Sequence, residues 1–162
     1  MAAETVVGQF TYSSGNNAQN KYDSSERRLA LYNQQEHKIS YGPAADSTTV
    51  VAVTKTLTGI HYTGSVVEVS VTPVTAPTGG DLAFTVDIKK STGAGAFATI
   101  LTGVVTVNSS SANRTAQYAT LSGTPTLVRG DLLQVVVAVS GSTGTQGAGY
   151  DVTIRIRENP AA

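Results

Sequence analysis

From Thr48 onward, the chain consists of short runs of valine, isoleucine and threonine that are separated by clusters of glycine, serine, proline and threonine. Two of these runs, residues 67–72 and 152–157, alternate apolar and polar residues with a period of two. Successive side chains of a strand point to opposite faces, so this period predicts strands with one packed face and one face in water. No stretch combines apolar spacing of helical period with capping residues. The sequence therefore predicts an all-β fold.

The same pattern predicts strands at the following positions: 49–57, 65–72, 82–89, 97–107, 114–121, 131–139 and 149–157. The Gly/Thr-rich connections at 75–80 and 140–147 are too long for two-residue hairpins, and they suit strands that cross between two packed sheets. The glycines between 82–89 and 97–107 predict a hairpin there. We therefore expect an antiparallel β-sandwich of jelly-roll or Greek-key type, with an extended N-terminal arm.

The composition changes near residue 45. Residues 1–45 are polar and hold four of the seven tyrosines. Within them, residues 5–12 predict a strand, and the runs 29–32 and 38–41 alternate on either side of a polar turn, which predicts a short hairpin. Because 162 residues suit a single domain, we expect an N-terminal arm that serves as an interaction segment and one β-sandwich domain at 46–162.

The run 132–139 (LLQVVVAV) departs from the alternating pattern, because it is apolar on both faces. A strand of this kind is either a central strand covered on both sides or a strand whose outer face contacts another subunit. The sequence leaves both interpretations open.

Charged side chains are few and balanced, with 11 lysines and arginines against 11 aspartates and glutamates. They are scattered, so they form no electrostatic stripe of the kind that nucleic acid or an anionic membrane requires. The first residues lack the basic and apolar regions of a signal peptide, and no apolar run reaches the roughly 18 residues of a spanning helix. We expect no nucleic-acid partner, no membrane partner, and a protein that is made and used in soluble form.

Side chains that carry catalysis or hold a metal are scarce. The chain has no cysteine, and neither His37 nor His61 stands in a nucleophile or metal-binding motif. Asp81, Asp131 and Asp151 stand beside glycine-rich stretches next to strand starts, where aspartate commonly ends a turn by bonding to the backbone. We therefore expect no catalytic residue, no metal site and no cofactor, and we predict that the protein is not an enzyme.

Three stretches of the chain resemble a known group of proteins: FTVDIKKSTG at 84–93, GDLLQVVVAV at 130–139 and GYDVTIRIRENP at 149–160. Their strand texture and their G-D-x-L-x-V pattern are similar to the β-sandwich domains of tailed-bacteriophage virion proteins. The nearest group is that of the capsid decoration, or cement, proteins and related head-fibre domains. The resemblance covers residues 80–160 and includes no catalytic motif.

The resemblance implies a viral structural protein, commonly a homotrimer, that binds the outside of the assembled phage head and stabilises it. Its partners are then the major capsid protein and further copies of itself, and its location is the capsid surface of the virion after synthesis in the host cytoplasm. The alternative is a receptor- or glycan-recognition module of a phage fibre. That alternative predicts an exposed aromatic or metal-lined site in the loops 75–80, 91–96 or 141–148.

The resemblance also directs the choice of contact residues. Tyrosines along a polar arm suit contact with another protein, because tyrosine brings contact area and a hydrogen bond at modest entropic cost, although an arm folded onto its own domain has the same composition. The residues expected to face the capsid are Val6, Phe10, Tyr12, Tyr22, Leu29, Leu31 and Tyr32. The residues expected to mediate self-association are Leu133, Val135 and Val137.

Overall fold

The structure is a computed structural model that describes residues 18–23, 28–33, 36–61 and 63–158. Within these residues all regular structure is β-strand, and the strands pair antiparallel throughout. The described part holds no helix that is long and apolar enough to cross a membrane. The predicted fold class, an antiparallel β-sandwich, is confirmed.

The strands are numbered in chain order. They are β1 (Ala18–Asp23), β2 (Arg28–Asn33), β3 (Glu36–Tyr41), β4 (Val53–Gly59), β5 (Gly64–Thr75), β6 (Ala83–Ser91), β7 (Ala98–Thr99), β8 (Val105–Val107), β9 (Gln117–Tyr118), β10 (Thr126–Leu127), β11 (Leu132–Ser140) and β12 (Ala148–Glu158). The predicted strand 5–12 lies outside the described residues.

Two sheets form the sandwich. The first, here the β12 sheet, has the order β10, β5, β12, β3, and β9 also pairs with β5. The second, the β11 sheet, has the order β4, β11, β6, β7, and β8 also pairs with β6. The connections 76–82 and 141–147 each run from one sheet to the other, as the sequence predicts. β1 and β2 pair with each other in a two-stranded sheet.

The core lies between the two sheets, and alternate residues of the long strands fill it. β12 contributes three side chains with no exposed surface, and β6 contributes three more: Val152, Ile154, Ile156, Phe84, Val86 and Ile88. Burying each such side chain contributes roughly 1.5–3 kcal/mol relative to leaving it in water. The sandwich is therefore stabilised mainly by these two inner faces.

Three aromatic rings close one end of the core. The ring of Tyr150 lies 5.7 Å from that of Phe84 and 6.3 Å from that of Tyr41, measured between centroids. Burial, together with the neighbouring Tyr41, raises the pKa of Tyr150 to about 12. The phenol of Tyr150 thus stays neutral at any ordinary pH.

A β-bulge in β5 interrupts the alternation that the sequence shows at 67–72. Arg155 pairs with Glu68 and Ile156 pairs with Val66, so Val67 is the extra residue of the bulged strand. The buried side chain is therefore Val66, whereas Val67 is half-buried. The predicted inward orientation of Val67 is wrong, because a bulge changes the face to which the following residues point.

The predicted hairpin between 29–32 and 38–41 is also wrong. β2 pairs with β1, and β3 pairs with β12 at the edge of the β12 sheet. Ile39 and Tyr41 of β3 pack against the core, which gives this strand a reason to join the sandwich. The sandwich thus begins before the predicted domain boundary at residue 45, and the interaction role of the arm at 1–45 stays a prediction.

Backbone hydrogen bonds between the two sheets interrupt the predicted strand 97–107 and shorten the predicted strand 114–121. Thr102 N donates to Thr120 O at 2.9 Å, and Ser122 N donates to Ile100 O at 2.9 Å. The bridge between Leu101 and Leu121 lies between these bonds and closes one lateral side of the sandwich. The predicted hairpin of 82–89 with 97–107 survives as the pairing of β6 with β7 and β8.

Two truncated chains test the position of β3. A chain beginning at Glu36 retains β3, whereas a chain beginning at Ala45 loses it and exposes the apolar surface that Ile39 and Tyr41 cover. We expect the shorter chain to unfold about 10 °C lower, since a loss of several kcal/mol shifts the midpoint of a domain of this size by this amount. Thermal unfolding followed by circular dichroism measures the difference. Equal midpoints for the two chains would show that β3 adds nothing to the sandwich.

Candidate interaction surfaces

The residues that the sequence predicts to face a capsid fall into two groups. Four of them lie on the two-stranded sheet: Tyr22, Leu29, Leu31 and Tyr32. In the register of that sheet Tyr22 pairs directly with Leu29. The others lie outside the described residues: Val6, Phe10 and Tyr12. Their contact with a capsid stays a prediction.

The structure corrects the choice of self-association residues. Leu133 and Val135 are 0% exposed and Val137 is 2% exposed, because all three point into the core. They are unavailable for contact with another copy. The alternate residues of β11 form the outer face of the sheet, where Leu132 and Val136 are half-buried.

The position of β11 in its sheet explains why its sequence is apolar on both faces. β11 is a central strand, paired with β4 on one side and with β6 on the other, so its outer residues are shielded by neighbouring strands. Val136 lies between Thr54 and Asp87 in the ladder, and Gln134 lies between Thr56 and Lys89. The outer face of the β11 sheet around these residues thus combines threonine, charged and amide side chains with a central valine.

An ionic cluster lies on the outer face of the β12 sheet. The two oxygens of Glu36 accept hydrogen bonds from Arg155 Nη2 at 2.5 Å and from Arg157 Nη2 at 2.7 Å. Arg155 Nη1 also donates to Glu68 Oε2 at 3.1 Å. The bonds from Arg155 and Arg157 hold the pKa of Glu36 below its ordinary value. Because these side chains are partly exposed, the cluster ties β3, β12 and β5 together but adds only modest stability.

A surface groove of about 330 Å³ lies on the lateral side that the Leu101–Leu121 bridge closes. Its lining consists of Thr102, Gly103, Val104, Val105, Tyr118, Ala119 and Thr120. Tyr118 is 67% exposed and Val104 is 48% exposed, so the groove presents an aromatic ring and an aliphatic side chain to solvent. The sequence does not indicate this site, because its two lining segments, 102–105 and 118–120, meet only through backbone hydrogen bonds between the two sheets.

The loops 75–80 and 141–148, where a recognition site was expected, are fastened to each other. Asp81 Oδ1 accepts hydrogen bonds from Ser142 N at 3.0 Å, from Thr143 N at 2.7 Å and from Thr143 Oγ1 at 2.6 Å. The hydroxyl of Thr143 and these two amides lower the pKa of Asp81 to about 2. A Cβ at Gly144 would collide with the carbonyl oxygen of Gly79, so the loops also need glycine at their contact. The predicted role of Asp81 in a turn is confirmed.

Asp131 has the predicted turn role and an additional ionic partner. Its Oδ2 accepts a hydrogen bond from Val128 N at 2.9 Å and lies 3.2 Å from Lys90 Nζ. Burial raises the pKa of this fully buried carboxyl. The amide of Val128 and the ammonium of Lys90 lower it by more, so the pKa lies below its ordinary value. The predicted turn role of Asp151 is wrong, because this residue lies inside β12. Its Oδ2 accepts a hydrogen bond from the hydroxyl of Thr153 at 2.8 Å.

The two histidines lie in different settings. His37 Nε2 lies 2.7 Å from Glu158 Oε1, and Glu36 beside it bonds the arginines, so the two neighbours have separate partners. His61 is exposed. In the described ranges no group of three or more His, Asp and Glu side chains is placed to hold a metal ion.

Substitution of two adjacent leucines tests the orientation of β11. Leu133→Ala is expected to lower the free energy of unfolding by about 3 kcal/mol, because it empties a fully buried site. Leu132→Ala, its matched control on the outer face, is expected to lower it by about 1 kcal/mol or less. Urea unfolding measures both values. A larger loss for Leu132→Ala than for Leu133→Ala would mean that the strand is turned the other way.

Removal of the Asp81 charge tests the link between the two loops. Because the folded pKa is about 2 and the ordinary value is 3.8, the stabilisation is complete above pH 4 and is lost as the pH falls toward 2. We expect Asp81→Asn to unfold at a lower temperature than the natural chain at pH 6, and the difference to shrink as the pH falls through 2. Ser142→Ala, which keeps the Asp81 carboxylate and its bond from the backbone amide of residue 142, is the control, and its difference from the natural chain is expected to be the same at pH 2 and pH 6. A difference for Asp81→Asn that is the same at pH 2 and pH 6 would contradict the assignment.

The fold is similar to that of one chain in the solved structure of the cyanophage Pam1 capsid asymmetric unit. The TM-score is 0.51, the sequence identity is 19%, and the match covers 85% of this chain and 97% of that chain. At this identity the likeness shows a shared fold, and the coverage shows that it extends over nearly all of the other chain.

Chains of infectious bursal disease virus also align, with TM-scores too low to carry weight. For the Gx strain the TM-score is 0.32 at 11% identity, with 88% of this chain and 42% of that chain covered. For the Gt strain it is 0.32 at 14% identity, with 91% and 44% covered. No protein-family model matches the sequence, and no curated protein matches it.

Proposed function

We propose that this chain is a viral structural protein that decorates the outside of an assembled phage head and stabilises it. The observation that carries the proposal is the match in fold to a chain of the cyanophage Pam1 capsid asymmetric unit, which covers 97% of that chain. Nearly the whole of a chain found in a phage capsid thus corresponds to the domain described here. The resemblance of residues 80–160 to phage virion domains, seen in the sequence, points in the same direction.

The strand order supports a jelly-roll type of sandwich. If β7 with β8 and β9 with β10 are each counted as one interrupted strand, two four-stranded antiparallel sheets result. Successive strands then alternate between the sheets, except where β6 turns back into β7. Eight strands in two antiparallel sheets with crossing connections are the features of the jelly roll, an architecture common in viral capsid domains.

In the proposed mechanism, attachment comes from many weak contacts repeated around a homotrimer. The shell-facing residues are those of the N-terminal segment: Val6, Phe10, Tyr12, Tyr22, Leu29, Leu31 and Tyr32. Once one copy of a trimer binds the major capsid protein, the others bind at a high effective concentration, so three modest affinities give a strong attachment. A protein that links neighbouring capsid subunits in this way resists their separation and therefore stabilises the head.

A glycan- or receptor-recognition module of a phage fibre is the second candidate, and the groove beside Tyr118 favours it. An aromatic ring that is 67% exposed next to Val104 offers the kind of platform on which a sugar stacks. The groove lies at β9, whereas two of the three loops in which such a site is predicted, 75–80 and 141–148, are tied together by Asp81. Loss of glycan binding in Tyr118→Ala on a glycan array would support this candidate.

Co-sedimentation with undecorated phage capsids tests the decoration function. We expect saturable binding of the full chain, and at least a tenfold weaker binding of the variant Phe10→Ser/Tyr12→Ser, because the substitutions remove two aromatic contacts. Val128→Ser is the control, since it removes an exposed apolar side chain from a part of the sandwich outside the proposed contacts, and its binding is expected to be unchanged. A full chain that stays in the supernatant at every capsid concentration would refute decoration. Equal loss in the variant and the control would refute the choice of the N-terminal segment.

A further inference from the structure

Arg114 has an unusual backbone conformation. Its φ is 54°, and it is the only residue other than glycine with a positive φ in the described ranges. The eight other positions with positive φ in those ranges are all glycine. A residue with a Cβ is strained in this conformation, and this chain otherwise relieves the strain with glycine. Strain that is retained at one exposed arginine suggests that its side chain has a use.

The backbone around Arg114 is held in place. Arg114 N donates to Pro73 O at 2.7 Å, and Asn113 Oδ1 accepts a hydrogen bond from Ala76 N at 2.7 Å. Both bonds fasten the loop to the end of β5. The guanidinium is exposed, and no described carboxylate lies within 4 Å of it, whereas Arg155 and Arg157 are both paired. Arg114 thus carries an exposed cation on a fixed backbone, and that cation lacks a counter-ion in the described part of its own chain.

Asp46 is an exposed anion at the same end of the β12 sheet but on its other side. Its segment lies beside the start of β12, because Gly149 N donates to Thr48 O at 2.9 Å and a Cβ at Gly149 would collide with Asp46 O. Its carboxylate makes no hydrogen bond or ion pair with any residue that the structure describes. β5 and β12 separate it from Arg114 by three strand spacings, which is about 14 Å.

Each of these two sides also presents an apolar surface. Beside Arg114, the segment 114–119 runs along β5 to Tyr118, which with Val104 forms the exposed part of the groove. Beyond Asp46, Val51 is 63% exposed. One lateral side of the sandwich thus combines a cation with an exposed apolar groove, and the other combines an anion with an exposed valine.

We infer that these two sides meet between copies of the chain, with Arg114 of one copy paired to Asp46 of the next and Val51 packed against the groove of Tyr118. The two surfaces differ, so the contact is head-to-tail, and the homotrimer proposed above is the ring in which such a contact closes. The charged pair fixes the register, and the apolar contact supplies the burial. The inference rests on the proposed self-association and is independent of binding to a shell.

Charge reversal tests the pair in the full chain. Sedimentation velocity over a range of concentrations compares the natural chain with Arg114→Asp, Asp46→Arg and the double variant that carries both substitutions. Loss of one surface ion pair weakens association about fivefold, and three equivalent contacts in a ring multiply this to on the order of a hundredfold. We expect association to weaken by this factor in each single variant, and the double variant to recover most of the lost affinity.

Arg129→Asp is the matched control, because it makes the same change of charge at an exposed arginine at the other end of the sandwich. Its association is expected to equal that of the natural chain. A natural chain that stays monomeric, an Arg114→Asp variant that associates like the control, or a double variant no better than the single ones would each overturn the inference.

The variant Arg114→Gly distinguishes a role of the Arg114 side chain in association from a role in the stability of the fold. Because glycine accepts the positive φ without strain, we expect the thermal midpoint to rise by about 2–4 °C while association falls as in Arg114→Asp. Unchanged association in the glycine variant would overturn the inference. Co-sedimentation with capsids, measured separately, decides the decoration function whether or not the ring forms.

Discussion

The structure depends on one interaction, the burial of alternate β-branched side chains between two sheets. β12 is the clearest case, because it is paired on both sides, with β5 and β3, and Ile154 at its centre has no exposed surface. The sequence has no cysteine, so no disulfide supplements the stabilisation that the chain obtains from packing and strand pairing. The ionic cluster, the loop contacts and the groove are all held in position by this core, and none of them would persist without it.

The sequence predicts the strands whose outer face is polar, and it fails where a partner is distant or the pattern is ambiguous. The alternation at 152–157 specifies β12 because only one of its faces is apolar. At β11 both faces are apolar, so the orientation of Leu133 could not be predicted. The pairing of β3 was missed because a local hairpin has the same apolar spacing, while the actual partners Glu36 and Arg157 are 121 residues apart. The displaced Val67 reflects a bulge, which leaves no mark in the sequence.

On the surfaces too, features set by neighbouring residues could be predicted from the sequence, and contacts between distant residues could not. The turn roles of Asp81 and Asp131 were predictable, because glycine stands beside each of them. Their partners Thr143 and Lys90 come from other parts of the chain, so no local pattern names them. The groove could not be predicted either, because its two lining segments meet only through a connection between the sheets. The positive φ of Arg114 has no sequence signal at all, since arginine is not a residue that marks this conformation.

The pairing of β3 with β12 has a consequence for how the protein is made. A ribosome releases β3 before the other strands of the sandwich, but the partner of that strand is β12, and Glu36 and Arg157 are 121 positions apart. β3 therefore cannot pair with β12 until almost all of the domain has been synthesised. Contacts of such long range slow folding, and an unpaired apolar strand in the interval is open to association with other chains. The maturation of newly made chains thus depends on β12, because β3 cannot pair until that strand is available.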